Sequence, residues 1–289
     1  MDKHKVWKKE SLIEDLKNGG IPESCILHLK VSMKAIGKVE GGAQTLLDAL
    51  LDVVGTEGTL VIDSFISSYP LPLNEEDAKK ISTESSSSYA GAMANVMIKH
   101  PLSVRSKHPI QKFTAIGKLA HELMDSHLPE SGGYDVLDRM AQMGALNLSI
   151  GRNTVGVGTT HVAIEKSGLT KKESLRGVNY LTSKGETELF QVNWSGGCGR
   201  GFPKFIPLYE QAKVLKWIKI GNADAALTDM AGTLAVEIQK LKEDPTFFFC
   251  DDPTCKDCQL NWSHSTGNYW KVKFHSLIKV IGENIFRRR

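Results

Sequence analysis

Apolar residues recur at helical spacing across KKESLIEDLKN, residues 8 to 18, and Gly19-Gly20 closes that helix. CILHLKVS, from Cys25, is a mostly apolar run of strand length. A turn-rich piece, SMKAIGKVEGG, separates it from AQTLLDALLDVV, whose apolar positions again fall at helical spacing and stop before Gly55. GTLVIDSF, Gly58 to Phe65, is a second strand of the buried kind. Strand, loop, helix and strand in this order predict an α/β layered fold.

Downstream, residues 66 to 88 are polar, include the serine run Ser85 to Ser88, and read as a long loop or flap. Tyr89 to Lys99 reads as a helix closed by Pro101. Next comes SVRSKHPIQKFTAIG, Ser103 to Gly117. Pro109 keeps His108 out of the helical region, so Arg-Ser-Lys-His-Pro is extended or turned and can gather a guanidinium, a hydroxyl and an imidazole. Helices are expected near Lys118 to Asp125 and over Asp135 to Met143, and ALNLSIG is a third core strand. GVGTTHVAIEKSG reads as a glycine turn, a threonine cap and a helix. LTSKGETELFQVNW reads as a hairpin turning at Lys184-Gly185. Tyr209 to Trp217 and Thr228 to Leu241 are expected to be helical. The whole reads as one domain, 1–289, with a cysteine-bearing C-terminal extension from about 245.

Composition narrows the class. With 289 residues, 41% hydrophobic and 24% charged, the chain has ordinary soluble-globular values. A formal net charge of +3 makes no case for a nucleic-acid partner, and Arg287 to Arg289 read as a solvated tail. The start, MDKHKVWKKE, has no apolar signal core, and no apolar run approaches the ~18 residues that span a bilayer. A cytoplasmic protein with no membrane partner is the expectation; homo-oligomerisation is left open. In a reducing compartment the five cysteines are free thiols, metal ligands or catalytic groups.

Three constellations carry chemistry. If a helix starts at Thr159 and Thr160, His161 and Glu165 stand one turn apart on one face. A carboxylate there can orient an imidazole that acts as a general base; the bland alternative is an exposed helical pair. Ser32 to Gly42 follows a strand, precedes a helix and holds Lys34, Lys38 and three glycines. It can bind phosphate through backbone N–H groups, or be an ordinary connecting loop. Cys250, Cys255 and Cys258 form C-x4-C-x2-C, spacing that suits a structural zinc, with His264, His275 or Cys198 as the fourth ligand. Cys198, between glycines in SGGCGRGF, is alternatively a nucleophile or an incidental thiol.

Four stretches, in order, resemble the aminoglycoside 3-N-acetyltransferase family, antibiotic acetyltransferases unrelated to the GCN5-type fold. They are LHLKVSMKAIGKVEGGAQTLLDALLDVVGTEGTLVIDSF, YAGAMANVMIKHPLSVRSKHPIQKFTAIGKLAHEL, GVGTTHVAIE and IKIGNADAALTDMAGTLAVEI. The resemblance implies a layered fold with a central mixed β-sheet flanked by helices. It also implies acyl-CoA binding, as acetyl-CoA or a short-chain acyl-CoA, by the loop after the first strand and by the Arg-Ser-x-His-Pro region. The residues concerned are Ser32, Met33, Lys34, Arg105, Ser106 and Phe113. His161 would take the proton of the attacking amine, Glu165 would orient it, Asp63 would help to bind the amine, and Thr159 and Thr160 would border the substrate.

The chain departs from the family pattern in places. His161 stands one position early, Asp63 adds a carboxylate at a strand end that often reads Pro-Thr-Phe, and Lys112 replaces a common serine. These departures and the slightly basic total favour a nucleotide-linked amino sugar as acceptor, with an aminoglycoside antibiotic as the alternative. A cysteine-dependent acyl transferase or hydrolase is a more distant reading.

Overall fold

A computed structural model describes residues 5–151, 158–169, 175–192, 198–260, 262–263, 270, 272 and 274 of the chain. In chain order the strands begin with β1 (Val6–Trp7), β2 (Ile26–Val31), β3 (Lys38–Val39), β4 (Thr59–Asp63), β5 (Tyr69–Pro70) and β6 (Ile81–Ser82). They continue with β7 (Val104–Arg105), β8 (Phe113–Gly117), β9 (Leu146–Ile150), β10 (Arg176–Leu181), β11 (Thr187–Gln191), β12 (Leu215–Ile220) and β13 (Ala223–Asp229). The helices are α1 (Lys9–Asn18), α2 (Met33–Ile36), α3 (Ala43–Val54), α4 (Glu75–Ala78), α5 (Ala92–Lys99) and α6 (Ala120–Met124). After them come α7 (Asp135–Gln142), α8 (Thr159–Lys166), α9 (Ile206–Gln211), α10 (Met230–Glu243) and α11 (Lys256–Leu260).

The central sheet has seven strands in the order β12-β13-β9-β2-β4-β8-β7. β2 lies between β9 and β4 and is parallel to both; the remaining pairs are antiparallel, so the sheet is mixed, as expected. Side chains alternate between its faces with a period of two. Leu27 and Leu29 of β2, with Leu60, Ile62, Leu148, Ile150, Ala225 and Leu227, form one face, which packs on α1, α3 and α5. α3 buries Leu46, Leu47, Leu50 and Val53 there, and α1 buries Leu12 and Leu16. Full burial of each such side chain stabilises by roughly 1.5–3 kcal/mol. The second face is part apolar and part polar. Ile26, Val61, Phe113 and Ala115 meet α6, α7 and α8. The intervening positions on that face are His28, Lys30, Asp63, Asn147 and Ser149, as the registers His28↔Asn147 and His28↔Val61 require.

The first helices and strands lie where the apolar periodicity put them, and two segments differ from expectation. Tyr209 to Trp217 is not one helix. α9 ends early, Lys213 takes a left-handed turn at φ 57°, and Leu215 enters β12. The alanine-rich stretch after Gly221 has helical propensity but pairs with β9 and β12 as β13, so sheet contacts override propensity. Residues 66–88 are more ordered than a plain loop: β5 and β6 join the β10/β11 hairpin. Phe113 to Gly117 is a core strand. It ends at Gly117, with φ +126°, where a Cβ would collide with the Gly58 carbonyl. No helix among the described residues is long and apolar enough to cross a membrane.

Candidate active site

The polar half of the second face is built at the C-terminal ends of the parallel strands β2 and β4, where open α/β sheets place their ligands. One nitrogen of His28, Nε2, lies 2.9 Å from Asp63 Oδ1, and the other, Nδ1, lies 2.9 Å from Asn147 Oδ1. Asn147 Nδ2 donates to Ser149 Oγ at 3.1 Å. Lys30, two residues after His28 and therefore on the same face, places Nζ 3.2 Å from Asp63 Oδ2. Burial works against the charge of Asp63, but the Lys30 ammonium and the His28 ring hold its carboxyl well below the usual range. Both oxygens of Asp63 are thus engaged by the protein.

α8 covers this face. Its Gly158 approaches so closely that a Cβ there would stand 3.1 Å from the His28 ring and 2.8 Å from a Leu137 methyl. His161 follows within the first turn of α8. Its ring stacks on Tyr134 with centroids 4.4 Å apart and planes 3° apart, and the Phe202 ring meets it edge-on at 5.2 Å. The Tyr134 hydroxyl in turn accepts from Gln111 Nε2 at 3.0 Å. Burial, followed by the charge of Lys30, pushes the His161 pKa down to about 4, while Asp63 pulls the other way. His161 is therefore a neutral imidazole at physiological pH, partly open to solvent and aromatic on two sides.

The structure brings His161 within electrostatic reach of the Asp63–Lys30 pair, and redefines several other expected residues. Glu165 makes no hydrogen bond to His161 among the described residues. It is exposed on α8, and its carboxyl is raised by partial burial and by the carboxylates of Asp135 and Asp138. The ring of Tyr134, not Glu165, sets the plane of His161. Thr159 and Thr160 are fully buried against α10: Thr159 bonds Thr233 at 3.0 Å, and Thr160 donates to Glu237 at 2.5 Å. They fasten α8 to α10. The Tyr209 hydroxyl also donates to Glu237, at 2.5 Å, and burial raises that carboxyl to about 7.

On the expected cofactor side, Arg105 turns its donors to the protein: Nη1 to the carbonyls of Glu84 and Ser86, Nη2 to that of Ser64, and Nε to Ser64 Oγ. It is a clamp on the 84–86 loop, and the bidentate fork that a phosphate would need is already occupied. Ser106 is fully buried, accepts from the Phe113 N–H at 2.9 Å and bonds His127. Phe113 is a core residue, edge-on to Phe65. His108 stacks on His127 at 4.8 Å, and its Nδ1 accepts from the Gln111 N–H at 2.9 Å. The Arg-Ser-Lys-His-Pro stretch is thus a locked turn. Beside it opens a cleft of about 880 Å³ lined by Lys107, Lys112, Thr83, Glu130 and Tyr180 among others, and not by His161. Burial lowers Lys112 to about 8. Ser32 and Met33 are half-buried and Lys34 is exposed; all three border the end of β2 just past Lys30.

At the far side of Phe202, the sulfurs of Cys198, Cys250, Cys255 and Cys258 lie within 4.8 Å of one another. His264 and His275, the other expected fourth ligands, lie outside the described residues, as does the Gly156-Val157 part of the glycine turn.

His28, Lys30, Asn147 and Tyr134 are site residues that the motifs did not single out. A signal existed for the first three: ILHLKV and LNLSI carry polar residues at alternate positions of runs that the fold buries.

Solved structures share this architecture. A mutant of aminoglycoside acetyltransferase AAC(3)-IVa in complex with a gentamicin superposes with a TM-score of 0.75 at 21% identity, over 89% of this chain and 97% of that one. AAC-IIIb, binary with CoASH, gives 0.72 at 19%, over 83% and 97%. YokD from Bacillus subtilis gives 0.73 at 22%, over 84% and 96%. At these identities the likeness establishes the class of fold, that of the antibiotic N-acetyltransferases. The family model for aminoglycoside 3-N-acetyltransferases matches residues 28–242, and the chain belongs to that family. Aminoglycoside N(3)-acetyltransferase IX of Micromonospora chalcea is 33% identical over 126 residues, 39% of this chain and 45% of that protein. Aminoglycoside N(3)-acetyltransferase VIII of Streptomyces fradiae is 31% identical over 157 residues, 48% and 54% of the two. The chain thus matches about half the length of these curated relatives.

Proposed function

We propose that the protein is an acyl-CoA-dependent N-acetyltransferase acting on an amine of an aminoglycoside-type amino sugar. The observation that carries the reading is the neutral, partly open imidazole of His161, held at the polar end of β2 and β4 in a chain of this family. In the reaction the amine nitrogen bonds to the acyl carbon, the carbon–sulfur bond breaks and CoA leaves as the thiolate. His161 takes the proton that the amine gives up, and protonation of the thiolate closes the balance. Asp63 is a positioning residue in this scheme: it fixes Lys30, whose charge adds to burial in keeping His161 unprotonated. The first turn of α2, at Met33 and Lys34, would supply N–H groups to the thioester oxyanion, the Ser32 N–H being donated to the Ile150 carbonyl at 3.0 Å. The cleft with Lys107 and Lys112 offers two ammonium groups to the anionic part of CoA.

For the acceptor, local charge outweighs total charge. The total favours a nucleotide-linked sugar, but carboxylates gather on α7 and α8, the helices that flank His161. Asp135, Asp138 and Glu165 stand together on α7 and α8; burial and the two aspartates raise Glu165, and Lys166, paired with Asp138 at 2.9 Å, offsets part of that charge. Such a field suits a polycation and repels a diphosphate. The names of the relatives agree with that choice. A thiol-release assay with acetyl-CoA against a panel of aminoglycosides and nucleotide amino sugars tests it. Turnover is expected with at least one aminoglycoside; turnover confined to nucleotide sugars would sink the proposal.

A further inference from the structure

We infer that Cys198, Cys250, Cys255 and Cys258 form a tetrathiolate zinc site that staples the C-terminal extension to the wall of the His161 site. Four sulfurs from two segments far apart in sequence converge within 4.8 Å, and none of them forms a disulfide. The Cys250–Cys258 sulfur separation is 3.7 Å. A disulfide needs about 2.0 Å. A tetrahedron with Zn–S bonds of about 2.3 Å has an edge of about 3.8 Å, close to that separation.

The groups around the sulfurs suit thiolates. Arg200 points Nε at Cys198 Sγ, 3.1 Å away, and Nη2 at Cys255 Sγ, 3.2 Å away. The Cys250 backbone N–H donates to Cys258 Sγ at 3.4 Å. A zinc ion with four thiolates carries a net charge of −2, and the guanidinium offsets half of it. Charge-assisted N–H···S contacts of this kind orient metal-bound ligands. Softness argues in the same direction, since an all-sulfur set selects zinc over calcium or magnesium. Filling the site displaces the thiol protons to solvent, one for each ligand that was protonated.

The location gives the ion a structural task. Cys198 leads directly into the 3-10 turn Gly199–Phe205, which carries the Phe202 ring that touches His161. Cys250, Cys255 and Cys258 lie beyond residue 242, where the family match ends. The same cluster of side chains includes Ala163 and Ile164 of α8, Phe202, Phe248 and Trp262. Zinc would therefore lock an added segment against the helix that bears the proposed base. The inference stands independently of the acceptor, because it rests on the cysteines alone.

Metal analysis of the 289-residue chain, purified without chelators from zinc-replete medium, is expected to find about one zinc per chain. In the native protein a thiol reagent should reach only Cys25, and all five cysteines once a chelator has removed the metal. Cobalt added to the stripped wild-type chain should give thiolate charge-transfer and tetrahedral ligand-field bands, a readout that needs no variant to fold. Cys198→Ser should lower zinc content at least tenfold. A metal-free chain that takes up neither zinc nor cobalt would overturn the assignment. So would iron at full occupancy, thiol reactivity unchanged by chelation, or undiminished zinc in Cys198→Ser.

Discussion

The ring of His161 lies flat on that of Tyr134, 4.4 Å away and within 3° of parallel. Tyr134 is half-buried at the start of α7, and Gln111 anchors its hydroxyl. This stack fixes the imidazole plane without a carboxylate partner. His161→Ala is expected to lower kcat by about 10²- to 10⁴-fold, the usual worth of a positioned general base. Tyr134→Phe keeps the ring and should change kcat little, whereas Tyr134→Ala should lower it through loss of orientation. Steady-state kinetics on the three variants check this; near-normal turnover in His161→Ala would remove His161 from the mechanism.

The pH dependence follows from burial of His161 and from Lys30. Burial and the Lys30 charge disfavour the imidazolium, so kcat/KM should fall on the acid side near pH 4 and not near the ordinary histidine value. Lys30→Met removes the cation and leaves Asp63 with His28 as its remaining partner beside the site. Both changes favour protonation of His161, so the acid limb should move to higher pH. A pH–rate profile that stays in place in Lys30→Met would separate His161 from this network.

Glu237 makes a stability prediction. Its carboxyl is buried and raised from 4.5 to about 7. Between those values the folded chain binds more protons than the unfolded one, so this group's contribution is full below about pH 4.5 and is lost as pH rises through about 7. Glu237→Gln keeps an acceptor for Thr160 and Tyr209 but cannot ionise. It should flatten that slope and stabilise the protein at pH 8 by on the order of 2 kcal/mol. Thermal melts at pH 5 and pH 8 test the sign.

Arg105 separates a clamp from a cofactor ligand. It donates to three backbone carbonyls and to Ser64 Oγ. Arg105→Ala is expected to destabilise by about 1–3 kcal/mol because the buried Ser64 acceptors lose their partner. The folded fraction should keep its KM for acyl-CoA. A large rise in that KM with stability intact would restore the cofactor role.

In the core, Leu50→Ala should cost about 2–5 kcal/mol, since Leu50 is fully buried between α3 and the sheet. Chemical denaturation measures it, and a loss below about 1 kcal/mol would contradict the packing described.

Local pattern alone determined a good deal. Twelve residues with helical periodicity between glycines defined α3, and short apolar runs defined β2, β4 and β9. Motifs marked His161, Asp63 and three of the four clustered cysteines. Such features depend on neighbours a few residues apart, and their physics is written in spacing. Only the tertiary structure decided that Leu215 to Asp229 is a hairpin, because strand pairing with β9 outweighs the propensity of its alanines. It alone paired His28 with Asn147 across 119 positions, and brought Cys198 to the other three thiols. It also turned Arg105, Ser106, Thr159 and Thr160 from ligand contacts into internal fasteners. Whether a polar side chain meets a ligand or its own protein depends on which strand or helix closes over it, and that partner is distant in the chain.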